Sequence, residues 1–178
     1  MKLILITIVA AVIVGLLAGG SFRYFPSIPL GWWSLAIAGV VLQFLPLTGN
    51  AGDLSLVASF ALLLAFALLN LRAPGFILIF TGLLLNAIVI VANHGMPVSR
   101  QALVRSGQES TLSDLRENGG SKHHLADDDT VLLVLGDSIV VPDPIGEAVS
   151  VGDVCVYLGV AWCLAASIRP RERSTVRI

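Results

Sequence analysis

With 178 residues, of which 56% are hydrophobic and 13% charged, and a mean hydropathy of +0.87, the chain carries about half the charged fraction of an average soluble domain. That composition argues against a soluble globular enzyme. Eleven Lys and Arg against twelve Asp and Glu give a formal net charge of −1, so there is no basic field to hold phosphates and nucleic acid is not an expected partner.

Four apolar runs without a charged residue fill the first half, at residues 3–19, 32–47, 54–71 and 75–93. Each approaches the roughly 20 residues that cross a hydrocarbon core of about 30 Å as a helix. Lipid offers no partners for backbone N–H and C=O groups, which makes helices the economical reading. A fifth run, 151–168, has one acid, Asp153, near its start. The expected fold class is an all-α membrane protein of about five transmembrane helices. Residues 1–93 form a four-helix transmembrane region, 94–149 a polar extracytoplasmic segment, and 150–178 the last helix with a basic cytoplasmic tail. The lipid bilayer is the first expected partner.

The first run also fits a signal peptide, because Lys2 precedes an apolar core that ends in Ala18, Gly19 and Gly20. Gly15-x-x-x-Gly19, a small-residue face for another helix, favours a retained span. Tyr24, Phe25, Trp32 and Trp33 beside Arg23 suit headgroup depth. Cys155 and Cys163 stand about 12 Å apart along one helix, too far for a disulfide, and read as small apolar residues.

Cations near the span ends set the expected orientation. Arg23, Arg72, Arg169, Arg171, Arg173 and Arg177 fall on one side, and Lys2, Arg100 and Arg105 on the other. The excess of positive charge marks the cytoplasmic side, so the N-terminus is expected outside and the C-terminus inside a multi-pass plasma-membrane protein.

The segment 94–149 holds nine acids, four bases and all three histidines. A connection this long is usually functional. Ser99 can cap a short helix over 100–105, and Thr111-x-x-Asp114 resembles a capping box for a second helix to about Glu117, stopped by Asn118-Gly119-Gly120. Leu103, Val104, Leu112 and Leu115 among charges suggest that these helices lie on the membrane surface. Further on, two apolar arms, 131–135 and 139–141, flank Gly136-Asp137. They are too short to span, and predict a re-entrant element or a hairpin with Asp137 near the outer face.

Candidate functional residues follow from this layout. Asp153 at a helix mouth is costly unless paired or wet, or else caps the helix together with Ser150. Asn86 and Asn93, seven residues apart, share a helical face. With His94 and with Tyr157 one turn below Asp153, they are expected to line one outer cavity.

Asn93-His94-Gly95-Met96-Pro97-Val98-Ser99, Lys122-His123-His124, Leu135-Gly136-Asp137 with Pro142, and Ser150-Val151-Gly152-Asp153 together resemble an uncharacterised family of small bacterial integral-membrane proteins, a domain of unknown function. The resemblance implies a bacterial inner membrane and carries no activity with it. In placement alone, the two aspartates are similar to those of lipoprotein signal peptidase, although the chain lacks that family's Asn-x-x-Asp-Arg element.

Three functions compete. The leading expectation is a non-catalytic accessory protein whose extracytoplasmic segment docks another membrane protein, with Asp137 and Asp153 buried, hydrogen-bonded and without a cavity. The second is an outer-face hydrolase using Asp137 and Asp153 as an acid and base pair around a wet pocket. The third is a divalent-metal site from His94, His123 and His124 with one of Asp127, Asp128 and Asp129. The pattern names no cofactor.

Overall fold

The structure is a computed structural model that describes residues 2–23, 29–47, 49–117, 120 and 122–168. Tyr24, Phe25, Asn118, Gly119 and the arginine tail 169–178 lie outside the described residues. The elements in chain order are α1 (Lys2–Leu17), α2 (Trp33–Phe44), α3 (Gly49–Leu69), α4 (Phe76–Asn93), β1 (Met96–Val98), α5 (Arg100–Arg105) and α6 (Glu109–Glu117). Then follow β2 (His123–Leu125), a 3-10 turn (Leu133–Leu135), β3 (Ile139–Val141), β4 (Glu147–Val149) and α7 (Val151–Ser167).

Each apolar run forms a helix, but of unequal length. Among the described residues, α3 and α4 are long and apolar enough to cross a membrane, whereas α1, α2 and α7 have 16, 12 and 17 residues. Helix α2 is cut short because Leu45 turns extended (ψ 131°) ahead of Pro46, as the ring of a following proline demands.

The helices do not pack in chain order. Helix α7 lies between α1 and α4, and α3 lies between α4 and α2. The α4–α7 contact is the closest, because glycines face each other there. A methyl group on Gly82 would overlap the Gly152 carbonyl, and one on Gly159 would meet the Gly75 carbonyl one heptad along. Glycine permits this backbone approach. Of the expected Gly15-x-x-x-Gly19 face only Gly15 packs, against Ile168 and Ala165, while Gly19 borders open space. Hydroxyls join α3 to α2, where Ser59 donates to the Gly39 carbonyl (2.8 Å) and Ser55 to that of Leu42 (3.1 Å).

The described residues between 94 and 149 form a cap over one end of this bundle. Its core holds Val98, Leu103 and Leu112, with Leu115, Leu125 and Ala148 packed around them. Leu103 of α5 and Leu112 and Leu115 of α6 are therefore spent on the cap's own core, while Val104 stays 48% exposed. Ser99 caps α5 through the Ala102 amide (3.4 Å), as its sequence predicts. Helix α6 begins earlier than expected, at Glu109, which leaves Thr111 and Asp114 inside it.

The all-α expectation also needs correction, since among the described residues four short strands form two small sheets. Strand β1 pairs parallel to β2, and β3 antiparallel to β4. The predicted hairpin is not between the arms 131–135 and 139–141. The first arm coils into the 3-10 turn, and the second pairs with residues 147–149. Three-residue strands carry too little periodic pattern to be read from sequence.

The cap is fastened to helix ends with matching charge. The Glu147 carboxylate accepts hydrogen bonds from the Lys2 and Leu3 amides at the start of α1, the latter at 3.2 Å. The Lys122 ammonium donates to the Gln43 carbonyl near the end of α2. An acid at a helix N-terminus and a base at a C-terminus both complement the helix dipole.

Replacing Gly82 by valine is expected to force α4 from α7 and destabilise the protein by about 1–3 kcal/mol, the usual cost of overpacking. Gly31→Ala, which meets nothing within 4 Å, serves as the control. Thermal unfolding of both variants followed by circular dichroism reads the difference.

Candidate functional site

The site lies where the cap meets α4 and α7, and the register of β1 builds half of it. Residues two apart on a strand share a face, and side chains paired across strands point the same way. Met96 pairs with His123 and Val98 with Leu125, while Val98 also bridges Asp137 on its other edge. The bridge is held by Asp137 N–H to the Pro97 carbonyl and Ser99 N–H to the Asp137 carbonyl, both 3.0 Å. His123 and Asp137 thus emerge on the same face from opposite sides of β1. His124 pairs with Pro97 and faces the other way.

Helices α4 and α7 build the other half. Ser150 and Asp153 form a reciprocal capping box at the start of α7: the Asp153 amide donates to Ser150 Oγ (2.9 Å), and the Ser150 amide to Asp153 Oδ2 (3.1 Å). Asn86 of α4 donates to Asp153 Oδ1 (2.8 Å) and accepts from Ser150 Oγ (2.9 Å). Capping therefore accounts for part of Asp153's role, and the buried amide of Asn86 bolts the cap of α7 to α4.

Asp137 is left differently. It is 8% exposed, and its Oδ1 is buried without a hydrogen-bond partner. Its Oδ2 lies 3.7 Å from His123 Nε2, beyond hydrogen-bond length. Burial, with the Asp153 charge adding to it, pushes the Asp137 carboxyl up to about 8. His123 shifts the opposite way. Its ring is 54% exposed, but desolvation on its crowded side lowers its pKa against the raising pull of Asp153. Both shifts run toward the uncharged form of the group concerned, and burial is the first cause of each. Glu147 differs again: burial raises its pKa, but the hydrogen bonds from the start of α1 outweigh this and hold it below the usual value.

His123, Asp137 and Asp153 form a shared wall between two cavities of about 330 Å³ each. The cap-side cavity also meets Gln108, Thr111, Glu147 and Tyr157. The bundle-side cavity also meets Phe44, Leu56, Phe60, Asn86 and Lys122. Of the residues expected here from sequence, Asp137, Asp153, Asn86 and Tyr157 all lie on one or other cavity.

Asn93 and His94 lie elsewhere. Asn93 clamps the backbone of Val131 with two hydrogen bonds, 2.8 and 2.9 Å, next to Leu132 at φ 57°, a conformation that costs a branched side chain energy. His94 lines a separate cavity of about 210 Å³ with Asp53. His94, His123 and His124 therefore do not converge, and no three His, Cys, Asp or Glu side chains are grouped to hold a metal ion among the described residues. Glu147 and Gln108 carried no sequence signal of their own, and Thr111 only that of a helix cap, because only the folded cap brings them to α7.

Residues 2–165 match the family of unknown function DUF5317, and the chain belongs to that family. No curated protein and no solved structure matches it.

The raised Asp137 carboxyl gives stability a pH dependence of known sign. Between the ordinary value of 3.8 and about 8 the folded state binds more protons than the unfolded state, so this group lowers stability as pH rises through that window. Asp137→Asn, which mimics the neutral acid, is expected to melt near the unmodified protein at pH 4 and above it at pH 8 and beyond. Melting midpoints across pH 4 to 9 test this.

Proposed function

We propose that this DUF5317 member is a multi-pass protein of a bacterial plasma membrane that binds a polar ligand group between His123, Asp137 and Asp153 at one rim of its helical bundle. The membrane reading is supported by where apolar surface is left. Only 33% of α3 and 28% of α4 is buried, whereas the core helix of a soluble protein hides most of its length. Leu5, Val9, Trp33, Ile37, Ile77 and Trp162 are each more than half exposed, and they spread the same apolar coat over α1, α2, α4 and α7. In this reading α1, α2 and α7 also cross, with local thinning of the bilayer taking up their shortness. The positive-inside balance puts the cap outside and the C-terminus in the cytoplasm.

One observation carries the ligand site: the unpartnered Oδ1 of buried Asp137 on a wall between two cavities. A buried acceptor without a partner is costly, and such exceptions concentrate at sites with a job to do. An accessory role that only docks a partner protein calls for satisfied aspartates and no cavity, and so accounts for this arrangement less well. The unlike surroundings of the two carboxyls favour hydrolysis as a second reading. Asp137 would act as the acid, and Asp153, held by Asn86 and Ser150, as the carboxylate that orients water.

Dicyclohexylcarbodiimide, an apolar reagent that adds to protonated carboxyls, tests the site in membranes. It is expected to label Asp137 at pH 7 and to label it progressively less as pH rises through about 8. Absence of an Asp137 adduct at pH 7, read by peptide mass spectrometry, removes the ligand site. For sidedness, a cysteine at exposed Ser110 in a variant without Cys155 and Cys163 is expected to react with an impermeant maleimide in intact cells. Protection there reverses the orientation.

A further inference from the structure

Residues 131–135 bring an apolar patch to the rim where the cap meets the bundle. The 3-10 turn packs on both α4 and α7, and Leu135 is rooted against the core of Leu56, Phe60, Val89, Ile90 and Met96. Its neighbours are left outside: Val131 is 51% exposed, Leu132 46% and Val134 78%. The backbone here is closed even though the side chains are open. All four carbonyls of residues 131–134 accept hydrogen bonds from within the chain. Asn93 Nδ2 donates to that of Val131 (2.9 Å), the Leu135 amide to Leu132 (2.8 Å), the Gly136 amide to Leu133 (3.0 Å) and Ser138 Oγ to Val134 (3.3 Å). The Val131 N–H in turn donates to Asn93 Oδ1 (2.8 Å). An exposed turn in water has solvent for these groups, whereas hydrocarbon offers none and makes internal partners a condition of entry.

We infer that this turn is an apolar keel set into the lipid leaflet on the cap side, with Val131, Leu132 and Val134 among the upper ends of the acyl chains. This rests on the membrane reading above and assigns a lipid contact to part of the otherwise polar cap. The helices beneath the turn argue for lipid as the partner. Ile88 and Val91 on α4 and Leu158 and Trp162 on α7 are all exposed, so the same apolar coat runs up to the rim where the turn sits. Helix length argues the same way. With 18 and 17 residues, α4 and α7 rise about 27 and 26 Å at 1.5 Å per residue, roughly 3–4 Å short of a hydrocarbon core of about 30 Å. An apolar turn at their shared rim covers part of that gap and lessens the thinning of the bilayer. Charge limits the depth. Asp127, Asp128 and Asp129 are exposed, and Thr130 Oγ1 donates to Asp127 Oδ1 (2.9 Å) just ahead of Val131. Carboxylates stay in water, so the keel enters only the outermost layer of hydrocarbon.

The test uses the full chain, in a variant without Cys155 and Cys163, reconstituted in phosphatidylcholine nanodiscs. A nitroxide is attached to one new cysteine at a time, in Val134→Cys, Ile88→Cys or Ser110→Cys. Its collision rates are measured with molecular oxygen, which concentrates in hydrocarbon, and with a neutral nickel chelate, which stays in water. The oxygen-to-nickel ratio for Val134→Cys is expected to be several times that for Ser110→Cys on the outside of the cap, and to approach that for Ile88→Cys on α4. Val131→Cys gives the reading should Val134→Cys not fold. A ratio at residue 134 equal to that at residue 110 puts the turn in water and overturns the keel. Loss of access to both reagents puts protein over the turn, a second copy included, and overturns lipid as its partner. Either result leaves the membrane reading standing while Ile88→Cys favours oxygen, whereas a water-like ratio at residue 88 removes the membrane reading and the keel with it.

Discussion

The close approach of α4 and α7 is the contact on which the rest of the molecule depends. Gly82 and Gly152 bring the two backbones together, and only at that separation can the Asn86 amide reach both Asp153 and Ser150. A side chain at either glycine would move α7 outward and take with it Asp153, Tyr157 and strand β4, which leads directly into the helix. The cavity walls, the cap's attachment and the field felt by Asp137 all follow from this one packing choice. Interiors are too densely packed to absorb even a methyl group there without displacement.

The cap completes what the bundle begins. Its pieces are short, and isolated two-stranded sheets are marginal in water, so their order derives from what they are tied to. Glu147 holds the start of α1, Lys122 the end of α2, and Asn93 the chain ahead of the 3-10 turn. Each tie satisfies backbone groups that a helix end or loop leaves open. Within that frame β1 sits between β2 and the bridge to Asp137, which turns His123 and Asp137 onto one face and His124 onto the other.

Two carboxyls that line the same cavities consequently live in different surroundings. Asp153 receives hydrogen bonds from an amide side chain and a backbone N–H at a helix N-terminus, whereas Asp137 receives none at Oδ1. Sites that divide acid from base, or that keep a counter-charge waiting for a ligand, rely on this kind of asymmetry. The strained backbone at Leu132 near the same cap region shows that its path is imposed by surrounding contacts and not by local preference.

Composition and periodicity were enough to locate all five apolar helices, the polar cap, the Ser99 and Ser150 caps, and to single out Asp137, Asp153, Asn86 and Tyr157, which the fold places on one or other of the two cavities. Those features depend on runs of ten or more residues, on capping chemistry between near neighbours, or on the rarity of a charge beside an apolar helix, all of which are local. The three-residue strands, the start of α6, the unequal fates of His123, His124 and His94, and the fastening roles of Glu147 and Lys122 were not legible. The strand pairings and the fastening roles depend on partners beyond the local pattern, as far as 79 residues for Lys122 and Gln43 and 144 for Glu147 and Leu3. Tertiary structure decided which distant polar groups found partners and that, among the described residues, the buried Oδ1 of Asp137 was left without one.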